Sequence, residues 1–288
     1  MKWRGREKST NVNDRRGEST GRGGMPNFGG FKMGTGGVIL LVILYLLFGN
    51  NLIGGLSGPG NGVQNNGQGT SISSEREEEY KEFISVVLKD TEDVWHEVFK
   101  ENGLEYEEPE LTLFTGGINS GCGFASEQIG PFYCSNDKEI YIDLSFFDQL
   151  KNDFGAKGDF AMAYVLAHEV GHHVQKQLGT LDKVHALQRK ISEKEYNKYS
   201  VRLELQADYF AGVFAKYIQE RGILEEGDFE EAINAASKIG DDTLQEKYQG
   251  RVVPDSFTHG TSEQRMKWFK KGFEKGTIKD SDTFNNKI

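Results

Sequence analysis

The stretch from Asp159 to Leu178 is apolar on nearly every face, yet it carries His168, Glu169 and His172 at its centre. Phe160, Met162, Ala163, Val165, Leu166, Ala167, Val170 and Val174 leave little polar surface, so a helix here must be buried. Buried polar groups without partners are costly. Any fold of this chain must therefore bring partners to three ionisable side chains inside its core. On an α-helix, residues i and i+4 share one face, a turn apart. The His168 and His172 imidazoles thus lie side by side and can share one metal ion. Glu169 is their neighbour, and its carboxylate reaches a water on the same ion. This is the spacing by which two neutral imidazoles bind zinc while a glutamate acts as general base. Gly179 fits the residue that stops the helix.

Zinc needs a further protein ligand. A third histidine two turns on is missing, since Leu178 stands there, and Asp182 follows the helix soon after. The better candidate is Glu204, in the run Arg202 to Asp208. Glu204 and Asp208 share one face of a largely apolar helix. Two carboxylates close together in a dry setting repel unless a cation lies between or beside them. The alternative is a solvated acidic face with Arg202 as partner. The expectation is one Zn2+ held by His168, His172 and Glu204, with Asp208 accepting the free ring N–H of a ligating histidine.

Charge is unevenly distributed along the 288 residues. Residues 1–32 hold eight Lys/Arg against three acids, net +5, which leaves −15 on the remainder. An acidic body argues against nucleic acid as a partner. The first 32 residues are basic and rich in Gly, Ser and Asn, and read as a disordered tail. Residues 33–56 carry no charge, and Val38 to Phe48 is apolar at every position. That is long enough for one transmembrane helix, a cleaved signal peptide being the rival. The basic flank predicts a cytoplasmic N-terminus, an extracytoplasmic body and the lipid bilayer as a partner. Residues 57–73 read as a flexible linker, 74–275 as the folded domain, and 276–288 as a frayed end.

Within the domain the pattern is α+β and mostly helical. Ser74-x-x-Glu77 is a capping box opening a helix to about residue 100. Residues 111–114, 132–134 and 140–144 read as short strands of a small sheet, with glycines as turns. Further helices are predicted from Ser192 to about 221, from 228 to 239, and after Thr261. Trp95 and His96 belong to packing and surface, His173 to packing or support of the site, and His185 to the exposed surface. Cys122 and Cys134 could be reduced, bonded or metal-ligating. The absence of a CxxC spacing argues against a second zinc site, and an exported domain would bond them to each other.

Together, His168-Glu169-x-x-His172 and Glu204-x-x-x-Asp208 resemble the gluzincins, to which thermolysin belongs. More narrowly, five blocks resemble a bacterial family of neutral zinc metallopeptidases: Gly130 to Cys134, Ile140 to Asp143, His168 to Gln175, Glu204 to Asp208, and Thr258 to Arg265. The likeness runs from Arg4 to Phe273. It implies a zincin-like domain behind one transmembrane helix, and a membrane-linked zinc peptidase acting on proteins or peptides. Thr258 to Arg265 also resembles a Thr-His-Pro block of membrane-bound gluzincins, with Gly260 replacing the proline. His259 or Arg265 is then a candidate donor to the oxyanion of the reaction. The rival from another class is a non-catalytic, membrane-anchored scaffold stabilised by zinc. Glu169 argues against it, since a structural site has no use for a base.

Overall fold

Helix α1 (Ser74–Glu101) buries Phe83, Ile84, Val87, Val94, Trp95 and Val98 along one side. Its cap is Ser73, whose side chain accepts from the Arg76 N–H, one residue before the predicted box. The structure, a computed structural model, describes residues 1–18 and 73–288. It is mostly helical with two small sheets. Strands β1 (Val12–Asp14), β2 (Glu110–Phe114), β5 (Phe132–Cys134) and β6 (Glu139–Asp143) form a sheet of order β1-β2-β6-β5. β1 and β6 pair parallel with β2, and β5 pairs antiparallel with β6. Strands β3 (Gly117–Ser120) and β4 (Gly123–Ser126) make a separate hairpin, which the sequence reading took for turns. The Cys122–Cys134 disulfide fastens the hairpin tip to the end of β5.

Helices α2 (Ser145–Asn152), α3 (Asp159–Gln177) and α4 (Thr180–His185) follow the sheet. Then come α5 (Glu193–Glu220), α6 (Asp228–Lys238), α7 (Asp241–Gln249) and α8 (Ser262–Lys275). Gly179 is left-handed and ends α3, as predicted. Ser192 caps α5, and Thr261 with Gln264 forms a full capping box on α8. The helix α3 packs against α1, α5, α6 and β5, so it is buried from all sides.

Two close approaches set the helix spacing. A Cβ added to Gly171 of α3 would lie 2.9 Å from the Ala207 carbonyl oxygen of α5. A Cβ on Gly272 of α8 would lie 1.9 Å from the Tyr209 carbonyl oxygen. At both crossings backbone meets backbone, which brings short side chains of three helices within reach of one point.

Three expectations about the chain ends need correction. Residues 1–18 are no disordered tail. Met1 and Trp3 are buried, Trp3 packs edge-on against Phe83, and Val12–Asp14 is a strand of the main sheet. The Met1 ammonium lies 2.7 Å from Asp159 and 3.2 Å from Asp228. The basic residues answer the acidic face of α1: Arg4 with Glu79, Arg6 with Asp90, Lys8 with Glu82, and Arg16 with Glu78. A positive flank read as a membrane-topology signal is thus an intramolecular complement. With the N-terminal residues folded onto the body, the two lie on one side. A single pass with a cytoplasmic N-terminus and an extracytoplasmic domain is overturned. Among the described residues no helix is long and apolar enough to cross a membrane. The expected span, 33–56, and the linker up to residue 72 lie outside the described residues. The end from 276 to 288 is not frayed either: Ser281 and Thr283 are buried, and Thr283 bonds the Arg202 carbonyl of α5.

Candidate metal centre

Helix α3 presents His168 and His172 towards α5, which presents Glu204 and Asp208, while the Glu169 carboxylate meets the Tyr133 backbone N–H of β5. The His168 and His172 rings are 4.9 Å apart and perpendicular. His168 Nε2 lies 3.1 Å from Glu204 Oε2, and His172 Nε2 lies 3.5 Å from Glu204 Oε1. The three donor atoms are all within 4.8 Å of one another. The far side of each ring is engaged: His168 Nδ1 lies 2.8 Å from Asp208 Oδ1, and His172 Nδ1 lies 2.9 Å from Gln175 Oε1.

This donor set fits a divalent cation. A neutral imidazole that donates through Nδ1 has a lone pair on Nε2. Two such lone pairs then face a buried carboxylate, an arrangement that repels unless a positive charge joins it. A proton answers the same demand. Burial pulls the His168 pKa down, but the charge and hydrogen bonds of Asp208, together with Glu204, push it up to about 9. Burial raises Glu204 too, but the His172, His259 and His168 imidazoles hold it well below the usual carboxylate range.

Asp208 is fully buried and receives four hydrogen bonds: from His168 Nδ1, Tyr164 Oη, and Arg265 through Nε and Nη2. Burial alone would raise its pKa; Arg265 and His168 bring it down to about 2. Arg265 also donates to the Ile239 carbonyl and to Tyr164 Oη. Its Nε and both terminal nitrogens are therefore committed to protein acceptors.

His259 stands opposite, on the loop before α8. Its Nδ1 is 3.1 Å from Asp241 Oδ1, and Asp241 Oδ2 accepts the backbone N–H groups of Thr258, His259 and Gly260. Gly260 has φ +92°, which a proline could not adopt, so the departure from Thr-His-Pro changes the backbone. Burial lowers the His259 pKa, while Asp241 and Glu204 raise it to a net increase.

A cleft opens over these groups, with mainly apolar walls including Phe132, Phe146, Phe154, Val165, Leu181 and Leu203. Glu169 and His259 line it. So does His185, half-buried, where the sequence reading had it exposed. Burial raises the Glu169 pKa, against the opposing pull of both imidazoles and the Tyr133 backbone N–H. His173 is fully buried, with Nε2 2.7 Å from the Glu107 carbonyl and Nδ1 3.0 Å from Tyr133 Oη. Burial brings its pKa down to about 4, so it is a neutral link between α3 and β5. Asp182 pairs with Lys176 on the surface instead of joining the centre. Sequence reasoning missed Tyr164, Gln175, Gln206 and Asp241. The spacing of Gln175, three residues after His172, could have pointed to it.

The model of the family described as "Putative neutral zinc metallopeptidase" matches residues 1–284. The chain belongs to this family. The match covers the N-terminal piece, the candidate centre and the C-terminal segment as far as residue 284. Protein YpfJ of Escherichia coli K12, described as uncharacterized, is 49% identical over 294 aligned residues, covering the whole of both chains. Protein Rv2575 of Mycobacterium tuberculosis H37Rv, likewise described, is 41% identical over 191 residues, 62% of this chain and 64% of that protein. No solved structure matches the chain.

Proposed function

We propose that this protein is a zinc-dependent peptidase that hydrolyses peptide bonds, with His168, His172 and Glu204 as ligands and Glu169 as general base. The observation that carries the reading is the meeting of two imidazole Nε2 atoms and one buried carboxylate at the base of a cleft. Family membership supports it. An HExxH helix beside a second helix carrying the third ligand is also in keeping with a zincin-like architecture.

Bound zinc supplies a Lewis acid that polarises the scissile carbonyl and lowers the pKa of water. The protein groups do the rest. Glu169 takes the proton of the attacking water and delivers it to the departing amine, a service worth ~10²–10⁴-fold. Its raised pKa suits a group that must hold that proton briefly. His259, held through Nδ1 by Asp241 and favoured in its protonated form by Asp241 and Glu204, offers Nε2–H of the imidazolium as donor to the substrate oxygen. Arg265 takes a different part from the one the sequence suggested. Engaged by Asp208, Tyr164 and Ile239, it orients Asp208, which orients His168. The outer edge of β5 borders the cleft, and an extended peptide can pair along it.

Glu169→Gln tests the mechanism. Zinc content should stay at one per chain while hydrolysis of a mixed peptide library falls by ~10²-fold or more. Unchanged hydrolysis would refute the assignment. A zinc-stabilised scaffold needs neither the cleft nor the base.

A further inference from the structure

Helix α5 is strapped on its outer side by the last residues of the chain. Arg202 donates to the Thr283 and Asn286 carbonyls, Tyr209 Oη to the Thr277 carbonyl, and Gln206 Nε2 to the Ser281 carbonyl at 3.0 Å. Gln206 and Ser281 are both buried. From Gln206 the contact continues inward. Gln175 Nε2 lies 3.2 Å from Gln206 Oε1 and 2.6 Å from the Leu203 carbonyl. Gln175 Oε1 lies 2.9 Å from His172 Nδ1.

The direction of every bond in this row follows from its ends. A backbone carbonyl only accepts. Ser281 O therefore takes the amide nitrogen of Gln206, which turns the Gln206 oxygen towards Gln175. Leu203 O takes the amide nitrogen of Gln175, which turns the Gln175 oxygen towards His172. Reversing either amide would set oxygen against oxygen in a buried site. The Gln175 oxygen accepts only, so His172 Nδ1 carries the hydrogen and Nε2 carries the lone pair.

We infer that Gln175 and Gln206 are positioning residues that lock His172 in its Nδ1–H tautomer, with the Ser281 end of the C-terminal strap as the fixed point of the relay. The two α3 histidines are thus set by different means. His168 answers to a charged pair, Asp208 with Arg265, and His172 to two neutral amides ending on the chain's last turn. The consequence for zinc rests on the proposed ligand set; the tautomer does not.

The test uses the full chain, stripped of metal, with nitrogen-resolved NMR of the imidazoles at alkaline pH and a parallel zinc titration. His172 should show a protonated Nδ1 and an unprotonated Nε2. Gln175→Met should turn this into a tautomer mixture and weaken zinc binding by ~10–100-fold, and Gln206→Met, which leaves the Leu203 carbonyl to hold the Gln175 amide, should do the same to a smaller degree. Gln206→Glu still accepts from Gln175, so it should keep the tautomer while losing the bond to Ser281. A His172 found with its hydrogen on Nε2, or a single Nδ1–H form that persists in both Met variants, overturns the inference. The wild-type spectrum alone decides the first point if a variant fails to fold. A wild-type chain with the expected tautomer but no zinc affinity would sink the metal reading and leave the relay standing.

Discussion

Asp208→Asn is the most informative single change, because Asp208 is where charge, tautomer and packing meet. The side chains have nearly the same shape, so no cavity is made. What changes is that Arg265, 3% exposed, loses its only anionic hydrogen-bond partner among the described residues. The amide also has only one acceptor atom. Turned one way it points N–H at Arg265 Nε, turned the other way at His168, Tyr164 and Arg265 Nη2. Removing one partner of a buried pair costs ~3–5 kcal/mol, against a total stability of ~5–15 kcal/mol. With a urea slope of about 3 kcal/mol/M for a chain of this size, the midpoint should fall by about 1–1.7 M. Fluorescence of the buried Trp95 and Trp268 reads the transition. Adding Arg265→Met removes the stranded charge, so the double variant should recover at least about 1 kcal/mol relative to the sum of the single losses. A midpoint within about 0.2 M of wild type for Asp208→Asn, or strict additivity in the double variant, would refute the argument.

Other outcomes follow from the same geometry. Gly171→Ala sets a methyl against the Ala207 carbonyl; it should cost ~1–3 kcal/mol and weaken zinc binding by parting α3 from α5, and wild-type zinc affinity would count against this spacing. His173 is protonated in the folded protein only below about 4 but in the unfolded chain below ~6.5. Stability should therefore fall by ~3 kcal/mol as pH drops from 6.5 to 4, and urea titrations of His173→Asn should show a flatter slope. Asp241→Asn should lower kcat for peptide hydrolysis by ~10-fold or more while leaving zinc content unchanged, since Asp241 acts through His259; unaltered kcat would remove His259 from the mechanism.

The centre was readable because it is local. His168, Glu169 and His172 lie within two turns, Glu204 and Asp208 one turn apart, and each set announces itself as polar groups on an apolar helix. Capping at Ser192 and Thr261 and the strands at 110–114 and 139–143 were readable for the same reason. What escaped the reading depends on residues far apart in the chain. Arg6 looks like a tail residue until Asp90 is beside it, and Val12–Asp14 is too short to be a strand without β2 as its template. Gln175 and Gln206 carry no charge and no motif; only the two carbonyls at Leu203 and Ser281 give them direction. Arg265 fitted an oxyanion donor in sequence, and its commitment to Asp208 becomes visible only when α8 crosses α5 at Gly272.

The edge strand Val12–Asp14 has one further consequence. Its ladder to Leu111–Leu113, the Trp3 contact and the Arg6–Asp90 clasp join two stretches that do not need a covalent link to recognise each other. A peptide bond broken between residues 18 and 73 would leave a small fragment seated in the large one, as a guest in trans.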